Sequence, residues 1–154
     1  MLQGIKANCS IIHLDLGSND ITYEGACLLF KSLERHPTLS SLTLANHDRL
    51  HRNRMGQKSC EALARLLSVN SILTMINISD NGISNEGLRV IAKQGFTLES
   101  SLVSINLANN DLKGEAAIQC FTEILTNSKC LYELNLNDNS IGDSGIVELS
   151  KLLN

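Results

Sequence analysis

A basic stretch within an acidic chain carries the side chains best suited to charge-based chemistry. Residues 47–58 read HDRLHRNRMGQK and hold Arg49, Arg52 and Arg54, whereas the whole chain has a formal net charge of -3. A guanidinium group can hold a carboxylate or a phosphate through two parallel hydrogen bonds. We therefore interpret these arginines as candidate binding residues for an anionic group, with a tolerated surface loop as the alternative.

Histidine and hydroxyl side chains elsewhere do not complete a catalytic or metal site. His47 and His51 are four residues apart, but no Cys, Asp or Glu with ligand spacing completes a zinc site with them. His13, Asp15 and a hydroxyl group from the next strand would be neighbours, but an open sheet face supplies neither an enclosed pocket nor oxyanion donors. We therefore predict no catalytic residue, no metal ion, no cofactor and no small-molecule substrate.

A repeated unit determines where these side chains are placed. Successive units begin at spacings of 28, 34, 29 and 29 residues, and their first residues are Ile11, Leu39, Leu73, Leu102 and Leu131. The fourth and sixth positions of every unit are Leu or Ile: Leu14 and Leu16, Leu42 and Leu44, Ile76 and Ile78, Ile105 and Leu107, Leu134 and Leu136. Such a period is typical of a stacked repeat architecture.

Each unit reads as a short strand followed by a helix. The anchors alternate with polar residues, as in Leu134-Asn135-Leu136, which predicts a strand with one buried face. A helical stripe follows, such as Gly25, Leu29 and Leu33, and it begins at a small residue in every unit. The sequence therefore predicts an α/β solenoid with a five-stranded parallel inner sheet and outer helices, because stacked units share a core that one unit cannot form.

The ninth position of each unit is polar. It reads Asn19, His47, Asn81, Asn110 and Asn139, and we interpret these asparagines as structural, since an amide can satisfy backbone groups in the bends between units. In the second unit, twelve residues separate His47 from the small residue Ser59, whereas six separate the equivalent residues elsewhere. We therefore predict an insertion loop at residues 47–58 that projects from one rim of the stack.

These patterns resemble the ribonuclease-inhibitor-like group of leucine-rich-repeat proteins, which are cytosolic and have long, helix-bearing units. The resemblance implies a protein-protein interaction module that binds its partner through the concave strand face. It does not imply a ribonuclease target, since that inhibitor is known for cysteine at the ninth position of one of its repeat types. Ran GTPase-activating protein belongs to the same group, and the arginines of the 47–58 loop make a GTPase-activating module the alternative function.

The resemblance makes the outward-facing strand residues and the loop arginines the candidate partner-binding residues. They are His13, Asp15, Thr43, Met75, Asn77, Asn106, Tyr132, Glu133 and Asn135, together with Arg49, Arg52 and Arg54. Binding hot spots favour Trp, Tyr and Arg, and only Tyr132 among the strand residues belongs to that set. A solvated face without a partner, or a structural spacer within a larger assembly, is the remaining interpretation.

Composition limits the class of partner and the compartment. The net charge of -3 and a sequence pI near 5.8 argue against nucleic acid and anionic membranes as partners. The chain has no apolar run near the ~20 residues that cross a bilayer. Its five cysteines are odd in number and form no Cys-x-x-Cys pair, so we predict free, buried thiols and a reducing compartment, the cytoplasm with the nucleus as the alternative.

The domain organisation follows from the repeats. Residues 1–154 are expected to form a single leucine-rich-repeat domain, with repeats starting near residues 11, 39, 73, 102 and 131. Ile5 precedes the first strand by the same offset that separates Leu33 from Leu39, so residues 1–10 are expected to hold the tail of a preceding repeat. We therefore expect the chain to be part of a longer array.

Overall fold

The sheet of the computed structural model follows the repeat pattern. The structure describes residues 4, 8–47, 50–97 and 100–152, the last without its side chain. One strand comes from each unit: β1 (His13–Asp15), β2 (Ser41–Thr43), β3 (Met75–Asn77), β4 (Ser104–Asn106) and β5 (Glu133–Asn135). The strands pair in chain order and in parallel, with third positions aligned throughout, as in Ser41 with Met75. This confirms the predicted α/β architecture with a five-stranded parallel sheet.

A helix follows every strand. The helices are α1 (Tyr23–Leu33), α2 (Cys60–Val69), α3 (Asn85–Gly95), α4 (Gly114–Asn127) and α5 (Gly142–Leu152), and a 3-10 turn (Gln57–Ser59) leads into α2. Each helix packs on the next one along the chain. Acidic residues lie in the first turn of each helix, where they favour the positive end of the helix dipole.

The core lies between the sheet and the helices. The fourth- and sixth-position anchors of the three middle units are fully buried, as are helix residues such as Leu33, Leu63 and Phe121. Each such side chain contributes about 1.5–3 kcal/mol when it leaves water. The anchors of the first and last units are only partly buried, because each of these units packs against a single neighbour in the structure. The stack is therefore tightest in its middle.

Small residues at the start of the helical stripes allow close approach between units. A Cβ atom added to Gly87 would lie 2.7 Å from the Sγ atom of Cys60, and one added to Gly145 would lie 2.5 Å from a methyl group of Ile141. Neither distance is compatible with van der Waals contact. The glycines that begin two of these stripes therefore meet a packing limit, Gly87 against the preceding helix and Gly145 against the turn before its own helix.

The cysteine prediction was correct on bonding and partly wrong on burial. All five thiols are free, but Cys9 and Cys130 are exposed and Cys27 is half-buried, so only Cys60 and Cys120 belong to the core. Burial raises the pKa of Cys60 to about 12, which keeps this thiol protonated and unreactive near neutral pH. The exposed pair lies just before β1 and β5, in connections that the helices do not cover.

Two further expectations concern chain segments rather than packing. Ile5 lies outside the described residues, so the expected helical tail before the first strand stays a prediction. No helix among the described residues is long and apolar enough to cross a membrane.

Candidate functional site

The outward-facing residues of the five strands form one ordered surface. We call this surface the strand face and define it by the third and fifth positions of each unit: His13, Asp15, Ser41, Thr43, Met75, Asn77, Ser104, Asn106, Glu133 and Asn135. The register aligns each position across the sheet, and adjacent strands are spaced by about 4.8 Å. The strand candidates at the third and fifth positions are therefore brought together on one face, whereas Tyr132 lies directly before its strand.

Four of the fifth-position side chains accept a hydrogen bond from the backbone of their own unit. The Oδ1 atom of Asn77 accepts the backbone N–H group of Ser79 at 3.1 Å, and Asn106 and Asn135 each make the same bond two residues along the chain, at 3.0 Å. Asp15 accepts the N–H group of Gly17 in the same way, at 2.8 Å. Each bond fixes the side chain at the end of its strand, and the three Nδ2 groups make no hydrogen bond shown among the described residues.

The ninth-position asparagines Asn110 and Asn139 hydrogen-bond to the backbone of their own and preceding units. The Oδ1 atom of Asn110 accepts the N–H groups of Asn81 and Ile83 in the preceding unit, at 3.2 and 2.9 Å. Its Nδ2 group donates to the carbonyl oxygens of Ile78 and Leu107, at 3.2 and 3.0 Å. Asn139 makes equivalent bonds with the fourth unit. These contacts agree with the structural interpretation of this column.

The assignment of His47 to the ninth position was wrong. Asn53 occupies that place: its Oδ1 atom accepts the N–H groups of Asn19 and Ile21 at 3.1 and 2.9 Å, and its side chain is buried, with 1% of its surface exposed. His47 is exposed and makes no such bonds. The six extra residues are therefore 47–52, and residues 53–58 belong to the regular repeat rather than to the predicted 47–58 loop.

The sequence contains a signal for this correction. Six residues separate Asn53 from Ser59, the same spacing that separates Asn81 from Gly87. Counting forward from the strand assigns the ninth position to His47, because the extra residues enter directly after the eighth position. Counting backward from the helix start would have found Asn53.

The insertion interrupts the asparagine column at one place. By analogy with the other units, the Oδ1 atom of Asn81 should accept backbone N–H groups of the second unit, but it is buried and has no hydrogen-bond partner among the described residues. The N–H group of Asn53 donates instead to the Oδ1 atom of Asn46, at 2.6 Å. Within the described part of the chain, the Oδ1 atom of Asn81 therefore lacks the two backbone hydrogen bonds that Asn110 and Asn139 each accept from the preceding unit.

Residues 47–52, which we call the rim loop, are attached to acidic residues of neighbouring units. Residues 48 and 49 lie outside the described part of the chain, and so the candidate Arg49 does as well. The Nδ1 atom of His51 lies 2.8 Å from a carboxylate oxygen of Asp20, and His47 lies 4.0 Å from Asp15. Arg52 pairs with Asp80 in the third unit. The loop is thus held across three units.

These ion pairs change which arginine of residues 47–58 is the best candidate for binding an anion. Since Arg52 pairs with Asp80 through one nitrogen, part of its guanidinium group is already engaged before a carboxylate or phosphate arrives. Arg54 occupies a regular repeat position, is exposed, and has no ion-pair partner among the described residues. Among the described arginines of this stretch, Arg54 is therefore the remaining candidate for binding an anion.

The second positions of three units expose apolar side chains; Tyr132 was predicted as a candidate, whereas Ile12 and Val103 were missed. The N–H groups of Tyr132 and Glu133 both donate to the carbonyl oxygen of Val103, at 2.8 and 3.0 Å, and the same pattern recurs at the other joints. The register between the strands stays one to one, and Tyr132 and Val103 stand directly before the strands that begin at Glu133 and Ser104, so the alternation of side chains along a strand does not set their direction. Both side chains are exposed, with exposed fractions of 92% and 38%.

Metal binding has no support in the geometry. Within the described ranges, no three His, Cys, Asp or Glu side chains come together in a way that could hold a metal ion.

Comparison with known proteins decides the family. The family model described as "Leucine Rich repeat" matches residues 7–29, 69–92 and 127–150. The chain is 34% identical over 149 residues to NACHT, LRR and PYD domains-containing protein 12 of Mus musculus, and 30% identical over 154 residues to ribonuclease inhibitor of Sus scrofa. The chain is a ribonuclease-inhibitor-like leucine-rich-repeat protein. The two alignments cover 97% of this leucine-rich-repeat chain but 14% and 31% of the relatives' own lengths.

Solved structures show the same fold. The actin-binding site 2 of leiomodin-1 superposes with a TM-score of 0.77 at 19% identity, covering 99% of this leucine-rich-repeat chain and 84% of the other. The C-terminal domain of Caenorhabditis elegans tropomodulin superposes with a TM-score of 0.74 at 13% identity, covering 99% and 88%. At these identities the likeness concerns the arrangement of strands and helices alone.

Proposed function

We propose that this chain binds a partner protein through its strand face, with the exposed side of the rim loop and Arg54 as a second contact. The observation that supports it best is the row of oriented amides on Asn77, Asn106 and Asn135. Their oxygens are held by the chain's own backbone, and all three residues line a shallow depression on the strand face, so the amides are fixed before a partner binds. Leucine-rich-repeat domains are typically protein-interaction modules, and extended surfaces of this kind serve repeat proteins as binding sites.

The alternative of GTPase activation is less well supported by the rim loop. An arginine that stabilises a transferred phosphoryl group must reach the partner's nucleotide with a free guanidinium group. Arg52 is instead paired with Asp80, which leaves Arg54 as the exposed candidate among the described arginines of the stretch. We therefore favour shape and polar complementarity as the mode of action.

The test places a bulky cation on the strand face without disturbing the backbone bonds. Ser41 and Thr43 are half-buried, and neither caps its own strand end, so Ser41→Arg and Thr43→Arg block the face and leave the fixed amides in place. Gln94→Arg, on an exposed position of α3, is the matched control with the same change of charge.

Partner engagement is measured by photo-cross-linking from a cross-linker at position 77, compared with one at position 94. Adducts with another protein should form from position 77, disappear in the Ser41→Arg and Thr43→Arg variants, and persist in the Gln94→Arg variant. Adducts that form only from position 94 would place binding on the helices and refute the proposal.

A further inference from the structure

Three exposed apolar residues outside the core stand at, or directly before, three consecutive strands. The backbone N–H group of Val103 donates to Thr74, and that of Tyr132 donates to Val103, each at 2.8 Å. Met75 follows Thr74 directly, so Met75, Val103 and Tyr132 come from three consecutive strands. Contiguous exposed apolar groups on a soluble protein mark interaction sites, whereas single ones do not. We call these three residues the anchor patch.

The exposure of the patch suits a hot spot. Met75 is 47% exposed and Tyr132 is 92% exposed, so both can bury substantial surface against a partner. Tyrosine dominates many interfaces because it offers a large apolar ring with a polar tip, and methionine adapts its shape to the group that it meets. A shallow depression of about 240 Å³ crosses the strand face between Ser41 and Glu133 and includes Met75.

A carboxylate stands beside the patch. The Oε2 atom of Glu133 accepts the hydroxyl hydrogen of Ser104 at 2.7 Å, and Ser104 lies in register between Met75 and Glu133. The structure describes all ten residues of the strand face, and its charged side chains other than histidine are the carboxylates of Asp15 and Glu133. The face therefore presents negative charge next to apolar surface, which disfavours an acidic partner segment.

We infer that the anchor patch takes a segment of the partner protein in which a large apolar side chain lies next to a lysine or an arginine. The apolar side chain packs between Met75, Val103 and the ring of Tyr132. The cation pairs with the carboxylate of Glu133, which the Ser104 hydroxyl group holds in position. This inference rests on the proposed function, because it names the chemistry of the partner for the same face.

The test is a selection from random peptides displayed on phage, using the whole chain as bait and peptides of roughly 12 residues, enough for about three helical turns. Enriched sequences should carry Leu, Phe, Met or Trp within one helical turn of Lys or Arg. Synthetic copies are then titrated with the chain, and binding is followed by fluorescence anisotropy at two salt concentrations.

Variants locate the bound peptide. Tyr132→Ser and Met75→Ser should each weaken binding by at least about tenfold, the loss that removal of an interface anchor causes. Glu133→Gln should weaken it less and reduce its salt dependence. Ile12→Ser is the matched control, because Ile12 stands in the same second-position column at the other end of the sheet and is 52% exposed. Urea unfolding of every variant reports that the stack is intact.

Three outcomes would overturn the inference. Enriched peptides that are acidic or lack a cation would contradict the chemistry. Enriched peptides that bind the Tyr132→Ser and Met75→Ser variants normally, but fail on the Thr43→Arg variant, would contradict the anchor patch and leave the proposed function standing. Failure to enrich any peptide would also count against it, since an exposed anchor with a fixed carboxylate should suffice for short ligands. Loss of the position-77 adducts, in contrast, tests the proposed function alone.

Discussion

Two columns of asparagine run through this stack, and they use the same side chain for different purposes. In the ninth-position column the amides of Asn53 and Asn110 are buried, and both ends of each amide bond the backbone of neighbouring strands. In the fifth-position column the half-buried Asn106 fixes its own strand end with its oxygen and lines the strand face. The difference teaches that the backbone around an asparagine, rather than the residue type, decides whether both ends of its amide are used within the stack.

The largest expected effect comes from a pair of matched variants, each of which replaces one asparagine in one of the two columns. Asn110→Leu leaves two buried N–H groups, those of Asn81 and Ile83, without an acceptor, and each such group costs about 1–3 kcal/mol. We expect a loss of at least about 3 kcal/mol in the free energy of unfolding, measured in urea. Asn106→Leu should lose less than about 1 kcal/mol, because water can reach the half-buried N–H group of Ala108. Equal losses of unfolding free energy in the two variants would contradict the distinction between the two columns.

A second pair of variants tests whether Asn53 or His47 occupies the ninth position in the unit with the insertion. Asn53→Ala removes the acceptor for the N–H groups of Asn19 and Ile21, and should cost about 2 kcal/mol or more. His47→Ala should cost less than about 0.5 kcal/mol, because the His47 side chain is exposed. Thermal and urea unfolding of both variants measures these losses. If the His47→Ala variant were the less stable of the two, His47 and not Asn53 would occupy the ninth position.

Deletion of residues 47–52 should be tolerated. It joins Asn46 directly to Asn53 and recreates the step from eighth to ninth position that the other units have. Four units hold the eighth residue at a left-handed φ of 51–56°, a region that asparagine tolerates at Asn46. We expect a change within about 1 kcal/mol in the free energy of unfolding, since the lost ion pairs are largely exposed. A deletion variant that fails to fold would show that the rim loop supports the stack.

The smallest effect is expected for Arg52→Ala. Its ion pair with Asp80 is partly exposed, and such pairs contribute about 0–1 kcal/mol. A double-mutant cycle with Asp80→Asn isolates the pair, since asparagine tolerates the left-handed φ of 56° at that position. A coupling energy well above 1 kcal/mol would indicate that the rim loop, like the buried column, is a structural element.

The sequence predicted the strands and the burial of their anchors because both follow from a period that is readable in the chain. Each strand occupies the third to fifth positions of its unit and so includes the fourth-position anchor. Two features escaped. The role of Asn53 was missed because forward counting ignores where extra residues enter. The exposure of Val103 was missed because strict alternation turns second positions inward, whereas the second position lies before the strand begins.

The candidate site was less predictable than the fold. Which side chains share the strand face follows from the register, and so it could be read from the repeat. Whether a charged side chain is already engaged depends on contacts between units that no period encodes. Arg52 illustrates this, because its partner Asp80 lies 28 residues along the chain, in the next unit.

The extra residues enter between Asn46 and Asn53, at the step where a solvent-facing residue is followed by one locked into the interior. Because the buried asparagine returns the chain to the regular repeat, the inserted segment before it can vary in length and composition. The corresponding steps in the other units, such as that between Asn109 and Asn110, are thus natural grafting points. A designer could attach recognition segments there one by one, provided that each ends in an asparagine that closes it.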